Sequence, residues 1–233
     1  MTSQLALELY QKRGADFGAF VGTKNVEAIS ALKEWSRGEN ENTILIWAKK
    51  SLGKSHALQA AVREATEKGF TTMYVPLRHV VAAGPSVLED LDSIERLAID
   101  DIDTVSGVGE WEMGLFKLYN DIRDKGGELL WSTSRAPSEN LFELDDLVSR
   151  VRASTVFTLV ELEDDEKIKL LQDLARKRGL LLSCEVASFI MRTQSRDIQD
   201  LVTLLEVLDT ASLRYRRSLT IPFVKEIVGL NRR

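Results

Sequence analysis

Apolar residues gather into five short runs along the chain, at residues 43–47, 72–75, 97–99, 129–132 and 156–160, each flanked by turns or charge. Runs this short and this continuously apolar predict strands buried on both faces. Between them the period becomes that of a helix, over residues 25–35, 56–68 and 111–124. In the last of these, Trp111, Met113, Leu115, Phe116, Leu118, Tyr119 and Ile122 supply the apolar positions. Strands alternating with helices imply an α/β fold whose parallel five-stranded sheet is flanked by helices, with any ligand held at the carboxyl ends of the strands. After about residue 160 the strand signal stops. Helical stretches follow at residues 163–177, 185–192, 195–213 and 221–228, the last opened by Thr220 as a cap with Pro222 in its first turn. The expected organisation is a tail over residues 1–20, an α/β domain over 21–160 and a small C-terminal helical domain over 161–233. A glycine-containing bend is expected near residues 106–110 and a hinge at 159–164.

Directly after the first apolar run the sequence reads Ala48-Lys49-Lys50-Ser51-Leu52-Gly53-Lys54-Ser55, followed by His56. This is the spacing of a phosphate-binding loop between a strand and a helix. Its backbone N–H groups turn toward a phosphate, Lys54 reaches the outer phosphates and the Ser55 hydroxyl can ligate Mg²⁺. The first position of the pattern ordinarily holds Gly, and the Cβ of Ala48 restricts φ there.

The third apolar run ends in Asp100-Asp101. Carboxylates at a strand end beside a phosphate loop suit two jobs: Asp100 holding Mg²⁺ through water, and Asp101 polarising an attacking water. Asp is one methylene shorter than the Glu more usual at the second position, which points to a slow enzyme. The fourth run ends in Ser132-Thr133-Ser134-Arg135, where Ser134 can sense a terminal phosphate, although such clusters also begin turns. Arg150 and Arg196 are the remaining candidates, Arg150 to reach a neighbouring subunit's phosphates and Arg196 to reach from the helical domain. Arg152 stands close enough to Arg150 to share that candidacy, and an Arg beside an Asp is often only a surface ion pair.

Composition narrows the class. At 44% hydrophobic and 29% charged residues this is the make-up of an ordinary globular protein. A net charge of −5 argues against coating DNA by bulk electrostatics. A single cysteine, Cys184, excludes an intrachain disulfide, and its apolar neighbours Leu180-Leu181-Leu182 predict a buried, unreactive thiol. No secretion signal or apolar run near twenty residues is present, so a cytoplasmic setting is expected.

The loop with Lys54-Ser55-His56, the Ile99-Asp100-Asp101-Ile102 strand end, the segment Ser132 to Pro137, Leu147 to Arg150 and the Arg196 region resemble, in order and spacing, the AAA+ ATPases of the replication initiator DnaA branch. The resemblance runs from about Gly22 onward. It implies a P-loop nucleotide-binding domain with a helical lid, binding ADP or ATP with Mg²⁺, ADP being favoured. It assigns Asp101 as catalytic acid, Ser134 and Arg196 as phosphate sensors and Arg150 as an arginine finger. The DNA-reading helix-turn-helix that follows the lid in DnaA has no counterpart before Arg233. The implied protein is therefore a DnaA-homologous regulator without direct sequence-specific DNA binding. Gln4-Leu5-Ala6-Leu7-Glu8-Leu9 is similar to the peptide by which such regulators dock on the DNA sliding clamp, with Gln4, Leu5, Leu7 and Leu9 in the contact positions and Glu8 where Pro is common. The resemblance thus implies two partners, DnaA and the clamp, and leaves self-association open. A helicase-loader or transposition-accessory ATPase acting on single-stranded DNA is the main alternative. A free-standing oligomeric NTPase and an adaptor indifferent to hydrolysis are two more.

Overall fold

A computed structural model of the chain describes residues 15–17, 24–39, 42–49, 52–139 and 141–230. Two compact units divide it, one built on Lys24–Val160 and the other on Glu161–Arg233.

The first unit carries a five-stranded sheet formed by β1 (Ile44–Trp47), β2 (Thr72–Pro76), β3 (Arg96–Asp100), β4 (Glu128–Thr133) and β5 (Thr155–Thr158). All strand pairs are parallel and the order is β2-β3-β4-β1-β5. The interior strands β3 and β4 are buried at every residue, which is why they read as unbroken apolar runs. Strands β2 and β5 are the edges, and three of the four residues of β5 are exposed. Helix α1 (Val26–Arg37) precedes the sheet, and the connections between strands carry α2 (Lys54–Glu67), the short α3 (Leu77–Val80), α4 (Gly109–Asp124) and α5 (Asp145–Arg152). One face of the sheet packs Leu45, Val75, Leu97, Ile99, Leu129 and Trp131 against Trp111, Leu115 and Leu118 of α4. Gly127 leads into β4 where a Cβ would come within 2.8 Å of the Ile94 carbonyl oxygen. Only glycine passes there without moving backbone.

The second unit is helical: α6 (Asp164–Lys177), α7 (Cys184–Thr193), α8 (Ile198–Tyr215) and α9 (Ile221–Leu230). Its core joins Leu171, Ala175, Val186, Ile190, Leu205, Leu208 and Phe223. A capping box of Glu163 and Glu166 opens α6, the Ser183 hydroxyl accepts from Val186 N–H at the start of α7, and the Thr220 hydroxyl accepts from Phe223 N–H at 3.4 Å in α9.

Two expectations are corrected here. Cys184 is exposed, not buried. Ser183 begins the helix directly before it, and Leu182 alone of the neighbouring leucines turns fully inward while Leu181 is 88% exposed. The helical stretch expected from residue 195 starts at Ile198, so Arg196 precedes α8 and does not lie in its first turn. Among the described residues no helix is long and apolar enough to cross a membrane.

Candidate functional site

The described phosphate-loop residues follow β1 and run into the first turn of α2, at the carboxyl edge of the sheet. Lys50 and Ser51 lie outside the described residues, as do Gln4, Leu5, Leu7 and Leu9. Ala48 is buried at 1% exposure, its N–H donates to the Thr133 carbonyl at 3.3 Å, and it is not among the residues with positive φ. The turn that demands glycine is at Gly53, with φ 91° and ψ 14°, so Ala48 costs the loop no backbone strain. Lys49 is exposed, Leu52 half-buried, and Ser55 stands exposed in the first turn of α2. The His56 ring Nε2 is 3.0 Å from the Asp16 carbonyl oxygen.

Lys54 is the hub. Its side chain is 6% exposed, and its ammonium donates to the Ala48 carbonyl at 3.3 Å and to the Ser134 hydroxyl at 3.1 Å, with Asp101 Oδ1 at 3.9 Å. Three residues singled out from separate parts of the sequence, Lys54, Asp101 and Ser134, therefore converge. Ser134 is fixed further by its N–H, which donates to Asp103 Oδ1 at 3.0 Å.

The two acids differ in environment. Asp100 is 3% exposed, and its carboxylate accepts from the Tyr74 hydroxyl at 2.7 Å on one oxygen and from the Ser132 hydroxyl on the other. Burial first, then the charge of Asp100, push the Tyr74 phenol well above its ordinary value, so it stays a neutral donor. Asp101 adopts the left-handed conformation, φ 55° and ψ 52°, which Asp tolerates better than most residues. Its N–H is held by the Ser132 hydroxyl at 2.9 Å, and its carboxylate is met by Arg78 Nε at 3.2 Å. Burial raises its affinity for a proton, Asp100 adds to that, and Arg78 and Lys54 oppose it.

Tyr74, Arg78, Ser132 and Asp103 escape a reading of the sequence alone. The available signal was positional, since each falls at or near the carboxyl end of a strand. Ile99 pairs with Trp131, so Asp100 and Ser132 follow side by side, and Arg78 lies two residues beyond β2.

The donor set fits Mg²⁺ of the kind that rests mainly on phosphate oxygens. Ser55 and Asp100 are hard oxygen donors, and the Tyr74 hydroxyl donates to Asp100. Among the described residues no group of three or more His, Cys, Asp or Glu is arranged to hold a metal by itself.

Arg150 belongs to the first unit and Arg196 to the second. Arg150 is exposed on α5, its guanidinium over the Tyr119 ring at 5.5 Å. Arg196, in the helical unit, pairs with Asp164 at 3.1 Å, and its carbonyl accepts from the buried Lys167 ammonium at 2.9 Å.

Residues 12–159 match the family of the bacterial DnaA ATPase domain, and residues 164–228 match the Hda lid domain. An uncharacterized protein of Haemophilus influenzae is 38% identical over 231 residues, covering 99% of this chain and 100% of its own length. Domain III of the Thermotoga maritima replication initiation protein DnaA superposes with a TM-score of 0.79 at 20% identity, covering 94% of this chain and 97% of that one. AMPPCP-bound DnaA from Aquifex aeolicus superposes with a TM-score of 0.69 at 20% identity, covering 85% of this chain and 66% of that one. These two structures share the fold. With more than half of its length matched by one domain and its lid by another, the chain belongs to the DnaA ATPase family, as an Hda-like, DnaA-homologous AAA+ protein.

Proposed function

We propose that this DnaA-related protein regulates replication initiation by acting on DnaA itself. The observation that carries the reading is the pairing, in one chain, of a DnaA-type ATPase domain with an Hda-type lid. In this reading the loop from Ala48 to His56 binds an adenine nucleotide, ADP in preference. Lys54 and Ser134 contact the terminal phosphates, and Arg196 contributes from the lid. Ser55 and Asp100 would hold Mg²⁺, which supplies positive charge against the phosphates when bound.

The chain's own hydrolysis is expected to be weak. Asp101, the acid that would polarise water, already spends its carboxylate on Arg78 and lies near Lys54. Its Cβ-to-carboxylate reach is also the shortest an acid offers. Arg150 would instead complete the nucleotide site of DnaA, stabilising charge on the transferred phosphoryl group, a contribution of about 10³ to 10⁵ in rate for arginine fingers generally. Residues 4–9 would tether the chain to the sliding clamp, which raises its effective concentration beside newly replicated DNA.

The test is the rate of hydrolysis of ATP bound to DnaA with DNA-loaded clamp present, on adding the wild type, Arg150→Ala, or a variant with Gln4 and Leu5 changed to Ala. Acceleration by the wild type and failure of both variants is the expected result. No acceleration by the wild type removes the reading, and salt-dependent binding to single-stranded DNA would then be measured.

A further inference from the structure

Arg150 is held at both ends by one buried tryptophan. Trp131, 0% exposed on β4, stacks on Tyr119 of α4 with ring centroids 5.7 Å apart and planes 12° apart. Tyr119 also meets the Arg150 guanidinium, 5.5 Å from the ring centroid. The indole N–H of Trp131 donates to the Ser154 hydroxyl at 3.1 Å, and that hydroxyl donates to the Arg150 carbonyl at 3.3 Å. The chain of contacts therefore closes on itself, from Trp131 through Ser154 to the Arg150 backbone, and from Trp131 through Tyr119 to the Arg150 side chain.

The way the charge is held matters. Arg78, Arg123, Arg135 and Arg196 are each joined to a carboxylate, which neutralises the cation and occupies N–H donors. A guanidinium held by attraction to a ring has no carboxylate on its N–H donors, so they stay available for phosphate oxygens while that attraction removes rotamer freedom. Among the described residues Arg150 makes no ion pair. Arg152, two positions on, lines a cleft of about 480 Å³ that also holds Glu143, Asp145 and Arg135.

We infer that Tyr119 is a positioning residue that presents Arg150, and not Arg152, to a phosphate on another subunit. This rests on the reading of Arg150 as a finger acting in trans. A cation–π contact at an exposed site is worth about a two- to fivefold change in the population of the competent rotamer.

The test compares wild type, Arg150→Ala, Arg152→Ala, Tyr119→Leu and Tyr119→Phe as full-length chains, titrated into ATP-bound DnaA on DNA-loaded clamp. The expected result is loss of stimulation with Arg150→Ala and retention with Arg152→Ala. Tyr119→Leu should lower the saturating rate about two- to fivefold with no change in the half-saturating concentration, and Tyr119→Phe, which keeps the ring, should match the wild type. Full stimulation by Tyr119→Leu beside an inert Arg150→Ala overturns the role of Tyr119 and leaves the finger intact. Full stimulation by Arg150→Ala overturns the finger reading and this inference with it. NMR of the arginine Nε–H groups reads the geometry without DnaA. The Arg150 signal should be displaced by the ring current in the wild type and in Tyr119→Phe, and lose that displacement in Tyr119→Leu. An undisplaced wild-type signal overturns the contact between Arg150 and Tyr119.

Discussion

Arg78 Nε lies 3.2 Å from Asp101 Oδ2, joining the segment after β2 to the acid at the end of β3. The guanidinium is about half exposed, while the carboxylate is only 14% exposed, so the pair straddles the boundary between solvent and core. Burial dominates, and the Asp101 carboxyl sits above the ordinary value of 3.8. A carboxyl whose folded value exceeds its unfolded one binds the proton better in the native state. Stability from this group is thus present below the ordinary carboxylate range and is lost as pH rises through the raised folded value. Asp101→Asn removes that loss, so its denaturation midpoint should gain on the wild type between about pH 4 and pH 7. Arg78→Ala removes an opposing cation and should make the wild-type loss steeper. A difference between Asp101→Asn and wild type that is the same at both ends of the range would show that ionising Asp101 carries no penalty.

Ser132 serves both acids at once. Fully buried, its hydroxyl donates to Asp100 Oδ1 and accepts from the Asp101 N–H at 2.9 Å. Ser132→Ala leaves a buried amide without a partner and a carboxylate with one donor fewer, at a cost of about 2 to 3 kcal/mol. Urea unfolding should show this as a lower midpoint at unchanged slope. A change under about 0.5 kcal/mol would mean that water replaces the hydroxyl.

The parallel sheet was legible because strands buried on both faces leave unbroken apolar strings such as Leu129-Leu130-Trp131, which few other structures require. Lys54 and Asp100 announce themselves because a loop or a strand end fixes their position locally. Tyr74 and Ser132 do not, since their partner lies 26 and 32 residues away and reaches them through strand register, which no local pattern carries. Cys184 was misread for a related reason. The string Leu180 to Cys184 crosses from a turn into a helix, and the cap at Ser183 decides which side faces inward.

Lys54→Ala tests the loop directly. Saturation with ADP at about a hundred times its Kd stabilises a binding protein by about 2.7 kcal/mol, or a rise in Tm of about 5 to 10 °C for a chain of this size. The wild type should show that rise in differential scanning fluorimetry and Lys54→Ala should not. An equal rise in both would place the phosphates away from the Lys54 ammonium, against its contacts to Ala48 and Ser134.

Glu112 holds the start of the helix that carries Arg150. It is 1% exposed, and Oε1 accepts from the Gly107 N–H at 2.7 Å while Oε2 accepts from Glu143 N–H at 2.9 Å and Leu144 N–H at 2.7 Å. Helix α5 begins at the next residue, Asp145, so this carboxylate fixes its N-terminal approach. Glu112→Ala leaves three part-buried amides without this acceptor, and the expected cost is about 2 to 4 kcal/mol. Glu112→Gln can keep its oxygen toward Glu143 and Leu144 but then turns an N–H₂ group toward the Gly107 donor, for an intermediate loss of about 1 to 3 kcal/mol. Chemical denaturation of the three proteins should rank them in that order. If Glu112→Ala loses less than about 1 kcal/mol, the loop before α5 supplies its own hydrogen bonds, and the placement of Arg150 does not depend on Glu112.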